Sequence, residues 1–332
     1  MNLLTWIKHV WRTGRSDSVE DKHADERLTK ELQKLLADGT LPPFFKAVLS
    51  GDVANASQMA NEANMSATWK YKTPMEFAAK YGKGDIVSVL IDKGADITGK
   101  GSSIGYTPLM AAAENGQATV VELLLARGAL VEEKSKDGGT PLMRAAYGGR
   151  AQTVRLLLSK GAAVNATCND GKTPLNYACR SRRNPDVVSA LIEAGASVNA
   201  KDKEGETPIM SPATFGQSKV VNLLLSQNAD PNAARKRDGW TPLMMAAQGG
   251  HAAVVKLLLA KGANVNARDT TLDRPALLEA AAFGRVEVVK LLLANGADAN
   301  AQDKGGDTAL RLAAYCRHPE VIALLKAAGA RR

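Results

Sequence analysis

The chain repeats itself. A Thr-Pro-Leu triplet or a close variant begins at Thr73, Thr107, Thr140, Thr173, Thr207, Thr241, Pro275 and Thr308, at spacings of 34, 33, 33, 34, 34, 34 and 33 residues. A degenerate copy starts 31 residues earlier at Pro42, where Ala47 and Gly51 stand in the places of Ala78 and Gly82. These make nine units. A fixed period of this length describes small modules that stack on one another, so it overrides the two or three separate domains that 332 residues would otherwise suggest.

Each unit reads as two short helices and a tight turn. Thr is a good N-cap, and Pro fits the first helical position, where an N–H would have no intrahelical acceptor. A helix is therefore predicted at every Thr-Pro. Counting from the Thr, apolar residues fall at +2, +5 and +6, as in Leu142, Ala145 and Ala146, and a glycine such as Gly149 follows near +9. A second apolar stripe, Val154 with Leu156, Leu157 and Leu158, stops at Gly161-Ala162 and predicts a second helix behind the first. The dipeptides Asp137-Gly138, Asp170-Gly171, Glu204-Gly205, Asp238-Gly239 and Gly305-Gly306 then signal hairpin turns leading into the next unit. Such a unit cannot bury its own apolar face. A stack of them can, in a core one layer deep.

The run from Asp137 to Gly149 (Asp-Gly-Gly-Thr-Pro-Leu-Met-Arg-Ala-Ala-Tyr-Gly-Gly), followed by Val154 to Ala166 (Val-Arg-Leu-Leu-Leu-Ser-Lys-Gly-Ala-Ala-Val-Asn-Ala), resembles the ankyrin repeat. The resemblance covers roughly residues 41 to 330. It implies an all-α solenoid of about nine repeats, built of stacked helix-turn-helix pairs with β-hairpin loops, and a role in binding other proteins. Residues 1–16 then form an amphipathic N-terminal segment, 17–40 a helical extension or cap, and 41–332 the repeat domain. Several departures from the pattern stand out. Met110, Met143, Met210, Met244 and Asn176 replace the family's usual His at +3, which removes or alters its polar tie across the hairpin base. Pro212 takes the +5 place of an Ala, and a proline there deletes a helical hydrogen bond, so the sixth unit is expected to have a distorted first helix. An extra residue between Arg180 and Pro185 lengthens the turn of the fifth unit, and the hairpin loops before Thr107, Thr241 and Pro275 are each one residue longer.

If the first helix buries +2, +5, +6 and +9, then +4 and +8, flanked by +7, lie on its open face. In the family this is the concave surface, and hairpin positions −4, −3 and −1 extend it. Of the 13 aromatic residues after position 40, ten fall in these two sets, where the scaffold does not need them. Aromatics and Arg dominate binding hot spots. The candidate partner-binding residues are Trp69, Lys70, Tyr81, Tyr106, Arg144, Tyr147, Lys172, Arg180, Arg182, Phe215, Arg237, Trp240, Arg274 and Phe283. Arg180, Arg182 and Arg183 in the fifth unit, and Arg235, Lys236 and Arg237 before the seventh, suit an acidic protein segment laid along the groove, with Trp240 and Tyr147 as apolar anchors. Tyr177 and Phe77 fit equally as covers for neighbouring helix surface.

Other functions have less to stand on. Net charge is +9 from 43 basic and 34 acidic residues, a thin excess for a nucleic-acid binder, and no nucleic-acid motif is present. The basic and aromatic groove nevertheless leaves nucleic acid as an alternative partner. No catalytic or metal-binding pattern joins His9, His23, His251 and His318 to the three cysteines, Cys168, Cys179 and Cys316, and no cofactor is implied. The stretch from Thr98 to Gly105 lacks the spacing of a phosphate loop and occupies a hairpin slot. The N-terminus has five apolar residues before Lys8 at most, too few for a signal peptide or a membrane span, so a cytoplasmic monomer is expected, with delivery as a secreted effector left open. Leu3, Leu4, Ile7, Val10 and Trp11 form one face of a short helix that suits a peripheral membrane adaptor as a third reading. Leu28, Leu32, Leu35 and Leu36 predict a second helix that caps the first repeat.

Overall fold

A computed structural model of the chain describes residues 24–98, 105–181 and 184–331. The amphipathic segment 1–16, Arg182 and Arg183, and residues 99–104 of the glycine-rich loop lie outside the described residues. Helix α1 spans Ala24–Leu36. Nine helix pairs follow: α2 (Pro43–Ser50) with α3 (Val53–Met59), then, after a short α4 (Glu62–Ser66), α5 (Pro74–Lys80) with α6 (Gly84–Asp92). The third to fifth units are α7 (Pro108–Asn115) with α8 (Ala118–Ala126), α9 (Pro141–Tyr147) with α10 (Ala151–Ser159), and α11 (Pro174–Ser181) with α12 (Pro185–Glu193). The last four are α13 (Met210–Thr214) with α14 (Ser218–Ser226), α15 (Pro242–Gly249) with α16 (Ala252–Ala260), α17 (Ala276–Ala282) with α18 (Val286–Ala294), and α19 (Ala309–Tyr315) with α20 (Pro319–Ala327). The hairpins contain no strand among the described residues, only isolated antiparallel bridges such as Trp69 with Lys72 and Arg268 with Pro275.

The caps explain the helix starts. The hydroxyl oxygens of Thr73, Thr107, Thr140, Thr173, Thr241 and Thr308 each accept the amide N–H three residues on, at 3.2–3.4 Å. Thr207 is the exception. Pro212 has no N–H to donate to Pro208, and the regular helix begins only at Met210, leaving α13 five residues long. Asn176 restores a polar tie in the fifth unit, its Oδ1 accepting from the Thr173 amide at 2.9 Å and hydroxyl at 2.7 Å. The hairpins before Thr241 and Pro275 close one residue later than the rest: Arg235 N–H reaches the Trp240 carbonyl and Asp269 N–H that of Arg274, whereas Ser135 and Cys168 close four residues on.

One continuous apolar core runs from Leu41 to Leu325, with Ala145, Ala146, Leu142 and Leu157 fully buried between units, beside a small cluster of Met210, Ala233 and Met245. Its small side chains let inner helices approach closely. Three hydrogen-bond ladders set the stacking. Between hairpins, the amides of Asn169, Lys203, Lys236 and Thr270 donate to carbonyls of the preceding hairpin at 2.8–2.9 Å. Gly138 allows that approach: its φ is +78°, and a Cβ there would lie 2.7 Å from the Asn169 amide nitrogen. At the turn between the paired helices, the residue at +10 reaches back to the preceding inner helix in five units, though Gln217 of the sixth does not. Gln117 donates to the Lys80 carbonyl, Arg150 to Glu114, His251 to Thr214, Arg285 to Gln248 and His318 to Ala282, at 2.9–3.3 Å.

On the far side, asparagines clamp successive loops. Asn165, Asn199, Asn232 and Asn266 each donate Nδ2–H to the carbonyl at the end of the next outer helix and accept an amide N–H just beyond it. Asn232 does this with Gly262 at 3.0 Å and Asn264 at 2.7 Å. Replacing Asn232 with Ala is expected to cost about 1–2 kcal/mol, while Asn232→Asp, which keeps the acceptor, should cost less. Chemical denaturation of the three proteins checks this, and equal stabilities would remove the ladder from the stability argument.

Candidate interaction surface

The concave face is lined by the +4, +7 and +8 side chains of the inner helices and by the hairpins. Its first end is closed by the chain itself. Helix α1 packs Leu28, Leu32, Leu35 and Leu36 against the core. Its Glu31 pairs with Lys80 at 2.7 Å, and Asp38, beyond its end, pairs with Lys70 at 3.1 Å. The helix thus crosses the inner face of the second unit as well as meeting α2. With the turns of the third and fourth units it bounds a cleft of about 420 Å³ that includes Leu28, Leu32, Tyr81, Gln117 and Arg150.

Under α1 the aromatics form a core. Trp69 lies 5.7 Å from Phe77 and 6.3 Å from Phe45 between ring centroids, and Tyr81 stacks on Phe77 at 6.4 Å. Lys70 covers the Trp69 ring at 4.1 Å. Tyr81 is 8% exposed and Tyr106 7%, so neither offers a contact surface. Tyr106 is held by its own scaffold: its hydroxyl donates to the Glu114 carboxylate, and the Arg144 guanidinium lies 5.4 Å from its ring centroid. Burial, and then the neighbouring Glu114 charge, raise the pKa of this phenol.

Several candidate cations are spent internally. Arg144 Nη2 donates to both oxygens of Asp137, at 2.8 and 2.7 Å. Arg235 is held by Asp238 at 2.6 Å and Glu206 at 3.3 Å. Arg274 is 5% exposed, with Nη2 2.8 Å from Asp303 and Nη1 3.7 Å from Glu279, so it serves the joint between the last two units rather than an open groove. Its longer side chain had no signal in the repeat pattern because its acceptors sit on the same unit's helix and on the next hairpin. Lys172 lies 3.8 Å from Asp202, a looser contact.

The middle of the groove remains open. Tyr147 is 39% exposed and meets Tyr177 edge-on at 6.5 Å. Arg180 is exposed and makes no ion pair among the described residues. Arg237 is exposed beside Asp238 at 3.3 Å. Trp240 is half-buried on Met210, Ala233 and Met245, while Phe215 and Phe283 are half-buried at the C-caps of α13 and α17. Tyr315, at 68%, is the most exposed inner-helix aromatic among the described residues. No group of His, Cys, Asp and Glu among the described residues could hold a metal ion, and no helix among them is long and apolar enough to cross a membrane. The buried Cys179 has its thiol pKa pushed up by desolvation, away from reactivity.

Two measurements test the structural assignments. Truncating Arg274 to Ala strands Asp303 and Glu279 and is expected to cost about 3–5 kcal/mol in urea unfolding. A loss below 1 kcal/mol would return Arg274 to the surface set. Glu76 is 1% exposed, and burial pushes its carboxyl up to about 7, only partly countered by Lys72. Its folded pKa lies above the unfolded value, so its contribution to stability is full below about pH 4.5 and is lost as pH rises through 7. Glu76→Gln should therefore reduce the fall in stability between pH 5 and pH 8 by roughly 2–3 kcal/mol. Parallel pH profiles for the two proteins would refute this.

Comparison with known proteins accounts for this architecture. A family model for ankyrin repeats in three copies matches residues 32–135, 109–202 and 184–269, and one for many copies matches 253–293 and 277–325. The ankyrin repeat and SAM domain-containing protein 6 of Rattus norvegicus is 37% identical over 136 residues, covering 38% of this chain and 15% of that protein. The glycerophosphocholine phosphodiesterase gde1 of Schizosaccharomyces pombe (strain 972 / ATCC 24843) is 30% identical over 152 residues, 41% of this chain and 13% of that protein. The chain thus spans about a seventh of the length of these relatives. In solved structures, the human ASB11 ankyrin repeat domain superimposes with a TM-score of 0.58 at 30% identity, over 66% of this chain and 97% of that one. The ankyrin repeat domain of Bcl-3, a member of the IkappaB family, gives 0.57 at 30% identity, over 68% and 100%. With its units in register from Pro42 to the last helix pair and family models matched along residues 32–325, the chain belongs to the ankyrin repeat family of protein-interaction domains.

Proposed function

We propose that the chain is a non-catalytic scaffold that binds an acidic segment of a protein partner through the concave face of its fourth to seventh units. The observation that carries this reading is the open middle of the groove, where Tyr147 stands exposed and edge-on to Tyr177, and where Arg180, which lines one cleft with Tyr177, is exposed and makes no ion pair among the described residues. None of the three is required by the stacking ladders, and all are of the types that anchor partners. Lys172, Arg237 and Trp240 continue the surface toward the seventh unit, with Phe215 at its edge. Trp69, Lys70, Tyr81, Tyr106, Arg144 and Arg274 are assigned to the scaffold instead, because each is packed or charge-paired within it. The free thiols of Cys168, Cys179 and Cys316 suit a reducing compartment, which favours the cytoplasm.

A crosslinking pull-down from native cells, quantified for the wild type and for a Tyr147→Ala, Arg180→Glu, Arg237→Glu variant, tests the reading. The main partner is expected to fall at least tenfold in the variant, with its melting temperature within a few degrees of the wild type. Unchanged capture would sink the groove assignment. Capture of RNA in its place, lost steeply with salt, would favour the nucleic-acid reading.

A further inference from the structure

The distortion in the sixth unit leaves a polar atom that the scaffold does not use. Six of the capping threonines accept an amide through their hydroxyls, whereas the Thr207 hydroxyl is buried, in a residue 3% exposed, and has no hydrogen-bond partner among the described residues. The cause is local. Pro212 opens the first turn, and the Met210 amide donates to the Thr207 backbone carbonyl at 3.1 Å instead of to the side chain. Thr207 lines a cleft between the inner faces of the fifth and sixth units that also includes Lys172, Tyr177, Arg180, Glu206 and Ser211. It encloses about 10 Å³, room for a single water-sized group, and opens onto the groove.

The charges around the cleft are unevenly satisfied. Arg235 takes the one acid, Glu206, at 3.3 Å. Lys172 is only loosely held by Asp202 at 3.8 Å, and Arg180 is unpaired among the described residues. The lining of the cleft thus brings together a residue whose hydroxyl is unpartnered among the described residues and two cations that no close ion pair holds. We infer that this cleft seats one carboxylate oxygen of an aspartate or glutamate in the bound segment, with Thr207 as the buried donor. The inference rests on the acidic-segment reading above and gives it a fixed register. A phosphate would bring three oxygens where one fits, and a neutral amide would gain little from Lys172 and Arg180, so the cleft selects a carboxylate.

The test is fluorescence anisotropy with a labelled hexaglutamate peptide, using a hexaglutamine peptide as the neutral control. Thr207→Val removes an unpartnered buried hydroxyl at nearly constant volume, so the fold should be at least as stable as the wild type while hexaglutamate affinity falls about tenfold. Pro212→Ala should restore the first turn and recruit Thr207 as a cap, raising the melting temperature while weakening the peptide by a similar factor. Thr241→Val, which breaks a working cap, should lower the melting temperature and leave affinity unchanged. Wild-type affinity in both Thr207→Val and Pro212→Ala overturns the cleft. If Arg180→Glu still weakens the peptide in that event, the groove reading stands without it. Failure of the wild type to bind hexaglutamate at millimolar concentration, or equal binding of hexaglutamine, overturns both.

Discussion

No unit of this chain can bury its own apolar surface, and that constraint shapes the rest. Two short helices such as α9 and α10 leave Leu142, Ala145 and Leu157 exposed unless neighbours lie on both sides. Burial alone would tolerate sliding between such smooth alanine-rich faces. The three ladders fix the register, because each donor finds its acceptor only when successive units are offset by one repeat. The +9 glycines belong to this device: at Gly216 and Gly284 a Cβ would lie 2.5 Å from the imidazoles of His251 and His318, which pass there on their way to the preceding helix.

The same logic decides which side chains are free to act on anything else. A solenoid's concave face looks uniformly available when positions are counted along the sequence, but neighbouring units claim much of it. Acids at fixed hairpin positions, Asp137, Glu206, Asp238 and Asp303, absorb Arg144, Arg235 and Arg274. The net charge of +9 therefore does not become a continuous basic groove. Among the candidate groove cations that are described, Arg180 and Arg237 reach solvent, and a surface of this kind discriminates by placed contacts more than by long-range field.

Much of the scaffold could be read from the sequence because it follows from period and turn chemistry. The helix starts, the paired helices, the longer hairpins before Thr241 and Pro275 and the break at Pro212 all come from residues acting on their own backbone. What could not be read depends on partners far along the chain. Tyr81 sits at an open +8 position but is covered by α1, which lies some fifty residues earlier, and nothing in the spacing of Leu28 to Leu36 specifies the face they meet. Arg274 looks like a hairpin-tip cation until Asp303 on the next hairpin is placed beside it. The +10 ladder escapes pattern reading for a different reason: Gln, Arg and His perform one task, so the position shows no conserved chemistry within the chain.

A linear stack also explains how the sixth unit can carry a defect. In a globular domain, a proline in the second turn of a core helix would disturb contacts throughout the core, at a cost of about 3 kcal/mol or more. Here the disturbance is bounded by the interfaces with the fifth and seventh units. The hairpin ladder persists on both sides, with Lys203 and Lys236 still donating, and His251 still reaches Thr214, but the +10 rung toward the fifth unit is lost, since Gln217 Nε2 is buried with no hydrogen-bond partner among the described residues. The buried Thr207 hydroxyl is then a local cost that the remaining units can carry without losing register. A polar group left unsatisfied in this way is destabilising in the free protein and becomes favourable only when an outside atom completes it. That makes such a position more discriminating than the exposed cations around it, since a mismatched ligand must leave the desolvated hydroxyl unmet.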